Sequence, residues 1–118
     1  MVGTPKTRAE VRAALIQVLE TLTNEMPVPH PVFLRLAAMR ECYGSCDFRD
    51  TNKSGKHFLI TIHPPPDPIT EEGFVVCRET LLHEFSHAMS WSTASSDGGH
   101  GESWGCCYAA AYRAVHGD

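Results

Sequence analysis

Apolar residues recur at helical spacing in most of this chain and at alternate positions in one short part of it. In KTRAEVRAALIQVLETLTNEM, Val11, Leu15, Val18, Leu19 and Leu22 fall on one side of a helix. Thr4 followed by Pro5 marks its start, because proline is accommodated in a first turn. PVPHP ends it. A short second helix is predicted through VFLRLAAMRE, residues 32–41.

The period then changes. In KHFLITIHP, Phe58, Ile60 and Ile62 alternate with Leu59 and Thr61, the signature of a strand. This run and CYGSCDFRD flank the turn-rich TNKSG, so the two predict an antiparallel hairpin closed off by PPPDP. The second strand of that hairpin is expected to offer an open edge, on which an extended peptide adds as a further strand.

Helical spacing returns in TEEGFVVCRETLLHEFSHAMSW. Thr70 is the expected N-cap, with Glu71 and Glu72 in a first turn that favours acids. STASSDGGHG reads as a loop and ESWGCCYAAAYRAVHG as a last helix. The order is helix, short helix, hairpin, helix, loop, helix, which predicts an α+β fold. The 118 residues suit one domain over residues 1–118.

Composition removes several function classes. A hydrophobic fraction of 42% with 20% charged residues is that of a folded domain. A net charge of -4 argues against a chain-wide grip on nucleic acid. Lys53, Lys56 and His57 near the hairpin turn, and Lys6, Arg8 and Arg12 near the first helix, read as solvated faces. No stretch approaches the roughly 20 apolar residues that span a bilayer, so no membrane partner is expected. Five cysteines, an odd and scattered set, fit free thiols in a reducing compartment. With no signal-peptide pattern at the start, this predicts a cytoplasmic protein.

The chemistry sits in LLHEFSHAM. At about 100° per residue, Phe74, Leu81, Leu82, Phe85, Ala88 and Met89 form an apolar arc. His83 and His87 stack one turn apart, roughly opposite the centre of that arc, and Glu84 lies beside them. The spacing is HExxH, which lets two imidazoles bind one zinc ion and sets a carboxylate next to it. A solvated surface pair of histidines is the bland alternative, and the third ligand decides between them. The metzincin extension requires Gly at 90 and His at 93, where this chain has Ser90 and Thr93, so it does not apply. The next candidate is His100 in DGGHGESWG, with Glu102 and Asp97 as competing oxygen ligands. Tyr43, Tyr108 and Tyr112 are candidate donors to a developing oxyanion. His30, His57, His63 and His116 have no partner at ligand spacing. Cys77 is expected in the core, and Trp91 and Trp104 on the walls of the cleft.

Taken together, RETLLHEFSHA and HGESWG resemble the SprT-like zinc metallopeptidases, which include the Spartan-type DNA–protein crosslink proteases. So does the Gly and Cys ahead of a strand in YGSCDFRD and HFLITIHP. The resemblance covers roughly residues 40 to 105. It implies a minimal zincin-like fold, a helix packed on a small sheet with Zn²⁺ in the cleft between them. His83, His87 and His100 would be metal ligands and Glu84 the catalytic general base, acting on a protein or peptide substrate. DNA association belongs to the family, and the net charge does not support it here. CYGSC and the adjacent Cys106 and Cys107 lack paired CxxC spacing, which argues against a second, structural zinc. Two rival readings stay open: a non-catalytic binding module that zinc stabilises, and a zinc hydrolase acting on a non-peptide amide.

Overall fold

The computed structural model describes residues 3–91 and 101–117. They form α1 (Arg8–Glu25), β1 (Val32–Leu36), β2 (Gly44–Thr51), β3 (Gly55–Ile62), α2 (Glu71–Met89) and α3 (Glu102–His116). The class is α+β, with three helices and one small sheet. No helix among the described residues is long and apolar enough to cross a membrane.

α1 begins later than its proline suggests. Thr7, not Thr4, is the N-cap: its hydroxyl accepts from the Glu10 amide at 3.1 Å, and Glu10 Oε1 accepts from the Thr7 amide at 3.1 Å. This reciprocal box satisfies two amides that a first turn leaves open, which a Thr-Pro pair cannot do. Val11, Leu15, Leu19 and Leu22 are buried, and Val18 packs on the same cluster.

Residues 32–36 are a strand rather than the start of a helix. Val32, Leu34 and Leu36 are partly buried, while Phe33 and Arg35 are exposed. β1 runs parallel to β3, from Val32 opposite Phe58 to Leu36 opposite Ile62. Val32 and Leu36 are also four apart, so a five-residue window satisfies both periods, and only the neighbouring strand decides.

The hairpin forms as the alternation predicts, with Gly44 opposite Ile62 and Thr51 opposite Gly55. The sheet order is β1-β3-β2, so the second hairpin strand is central and has no open edge. The edge beside it belongs to β2. A central position also explains why the polar members of β3 are shielded. Thr61 is 3% exposed and accepts from Arg35, and His57 is 7% exposed with its ring against Phe33. His57 is therefore part neither of the solvated face that its place near the hairpin turn suggests nor of a basic surface patch.

One face of the sheet and all three helices share a core. Phe58, Ile60, Ile62, Leu81, Leu82, Phe85 and Ala111 are fully buried in it, and Cys77 almost so. Each large side chain so buried contributes about 1.5–3 kcal/mol. α2 packs against the sheet on one side and against α3 on another, so groups on it are held by a rigid support.

Candidate metal centre

Thr70 caps α2 as expected, its hydroxyl accepting from the Gly73 amide at 3.0 Å. Beyond Cys77 the helix presents its apolar arc to the core, which turns His83 and His87 away from it. Both are partly buried. Their Nε2 atoms converge to 3.3 Å, and the rings meet edge to face at 5.0 Å. Two nitrogens of a tetrahedral zinc site, each about 2.0–2.1 Å from the metal, stand about 3.3–3.4 Å apart. The separation therefore fits two corners of such a site.

Glu84 is the exception on its side of the helix. It is 8% exposed, yet it lines the cleft beside His83. Burial, and secondarily the charge of Asp47, push its carboxyl up to about 7. A divalent cation beside it would act in the opposite direction. Cys46 faces the same region from β2. Burial first, then Glu84 and Asp47, push its thiol up to about 12, so it stands there as a small neutral group.

Two features bring β2 and α2 this close. Gly44 opens β2, and a Cβ there would lie 2.6 Å from Thr80 Cγ2 and 3.1 Å from the Thr61 carbonyl oxygen. Only a bare backbone fits. Within α2 and at its C-cap, the hydroxyls of Thr80, Ser86 and Ser90 turn back to the carbonyls four residues earlier, at 2.6–2.8 Å. That keeps small polar side chains satisfied where the helix is packed closely.

Trp104, in the first turns of α3, covers the histidines. Its ring centre lies 5.0 Å from that of His83 and 5.7 Å from that of His87, and its Nε1–H donates to the His83 carbonyl at 3.3 Å. The expectation that Trp91 and Trp104 wall the cleft is not met: neither is among the residues that line it, and Trp104 packs on the imidazoles instead. Trp91 packs on Phe58 at 5.4 Å and on Phe48 at 6.5 Å, pinning the end of α2 to the sheet.

A cleft of about 610 Å³ opens from His83 and Glu84 along α2. Tyr43 and Tyr108 line it, whereas Tyr112 packs against His116, the rings tilted and their centres 4.4 Å apart. His63 Nδ1 accepts from the Met39 amide, His116 pairs with Glu79, and His30 packs between Phe48 and Phe58. Their roles are structural, as their spacing suggests. Among the described residues, no three His, Cys, Asp or Glu side chains gather as a metal cage. His100 and Asp97 lie outside the described residues, and so does the side chain of Glu102.

The arrangement of HExxH helix, Gly-opened strand and Trp-bearing helix coincides with a family match. The model of the SprT-like family matches residues 12–116. The chain belongs to the SprT-like family. The SprT-like pattern thus extends beyond residues 40–105 at both ends and takes in most of α1 and all of α3. No curated protein and no solved structure matches the chain.

Proposed function

We propose that this SprT-like chain is a zinc-dependent endopeptidase of zincin-like design. The convergence of His83 and His87 Nε2 at 3.3 Å, with Glu84 on the wall of the same cleft, carries the reading. His83 and His87 would hold the ion as neutral imidazoles, with His100 as third ligand. Family membership supports His100, as does Trp104, the aromatic of the H-G-x-x-W signature, lying against both imidazoles. When bound, zinc supplies Lewis acidity that makes water a nucleophile near neutral pH and polarises a carbonyl.

The chain's own part of the chemistry falls to Glu84. Its carboxylate takes a proton from the attacking water and returns it to the departing amine. Among the described residues no hydrogen bond ties its oxygens down, so they are available to water in the cleft. Tyr108 keeps its proton, because burial, then Glu79 and Tyr112, raise its phenol above the ordinary value. Its O–H is a donor on the cleft wall. Among the described residues no further strand pairs with the outer edge of β2, which gives an extended substrate backbone a place to add as a strand. Protein or peptide is therefore the proposed substrate. All five cysteines are unpaired, which suits a cytoplasmic setting.

Glu84→Gln tests the assignment. The variant should keep its zinc while hydrolysis of an unfolded protein such as casein falls by about 10²–10⁴-fold, the usual worth of a general base. Chelator-sensitive turnover unchanged in that variant would remove Glu84 from the mechanism.

A further inference from the structure

The cleft has two unlike ends. His83 and Glu84 form the reactive one. The rest is walled by Tyr43 from the approach to β2, by Val75 and Val76 from α2, and by Tyr108 from α3. Three separate elements thus bring apolar surface to one place. Tyr43 is 67% exposed and Val76 46% exposed. Leaving two such side chains in water forgoes burial energy that either would gain in the core. Their convergence beside the candidate centre gives that exposure a use. The volume, about 610 Å³, is in the range that takes a small ligand or a bulky side chain with its flanking backbone.

Glu79 also lines the cleft, one turn of α2 before His83. Its Oε1 is engaged by His116 at 3.0 Å and by Arg78 at 3.5 Å, so that oxygen is already committed to cationic groups of the chain itself. Its Oε2 is buried with no hydrogen-bond partner among the described residues.

Resting on the peptidase reading, we propose that this cleft selects a bulky apolar or aromatic side chain next to the bond that is cut. The side chain lies between Tyr43 and Val76 with Tyr108 as floor. Its backbone then runs past Glu84.

The test is digestion of an unbiased peptide library by the intact, zinc-loaded protein, with cleavage sites read by mass spectrometry. Phe, Tyr, Leu and Met should be enriched beside the cut over Ala and Gly, on the order of tenfold, as apolar pockets commonly discriminate. Val76→Arg places a cation on an exposed helix position and should shift the enrichment towards Asp and Glu. Tyr43→Ala, also at an exposed position, should weaken the aromatic preference and serves if the arginine variant does not fold. Chelator-sensitive cleavage with no side-chain preference, or with preference for Lys or Arg, overturns the selectivity and leaves the peptidase intact. A library with no chelator-sensitive cleavage overturns both.

Discussion

The indole N–H of Trp104 reaches the backbone carbonyl of His83 at 3.3 Å while its ring lies against both His83 and His87. One side chain from α3 therefore fixes the lateral position of two candidate ligands on α2. It also couples the helix that follows the glycine-rich segment to the helix that precedes it. Groups that orient metal ligands from behind typically contribute 10–100-fold in affinity. Trp104→Ala should weaken zinc binding by about tenfold or more. Trp104→Phe, which keeps the ring and loses the N–H, should fall between that variant and the parent. Competition against a chromophoric chelator measures both. Equal affinities in all three proteins would reduce Trp104 to a packing residue.

Gly44 makes a different kind of demand. Its missing Cβ would overlap Thr80 Cγ2 and press on the Thr61 carbonyl, a β-branched methyl and a strand backbone that cannot swing aside. Gly44→Ala should destabilise the fold by about 1–3 kcal/mol, the usual cost of overpacking. Adding Thr80→Ser removes the nearest methyl and should restore part of the loss, with the contact to Thr61 remaining. Denaturant unfolding of the two variants checks it. A Gly44→Ala protein as stable as the parent would mean that β2 does not depend on a bare backbone to approach α2.

Strong local signals were readable in the chain itself. Thr70 and its two glutamates announce the start of α2, the alternation of Phe58, Ile60 and Ile62 announces β3, and His83 and His87 project together from the helix. What could not be read depended on partners distant in sequence. Residues 32–36 carry both a helical and a strand period, and the parallel ladder to β3 chooses between them. The same ladder moves the open edge from β3 to β2. Thr7 displaces Thr4 as the cap because Glu10 answers it three residues on, a signal present in the sequence but weaker to the eye than a proline. The burial of Glu84 follows from the close approach at Gly44, and a helical projection that places it beside the two histidines contains no such neighbour. A glycine opening a strand is the one hint of that approach in the sequence.

The central claim is that His83 and His87 are two ligands of one zinc ion. Anomalous diffraction at the zinc edge, from crystals of the protein purified without chelator, tests it most directly. The account predicts a single strong peak within bonding distance of both Nε2 atoms, about 2.0–2.1 Å from each. A zinc-supplemented crystal with no peak between those two nitrogens, or with its zinc held elsewhere, would contradict it.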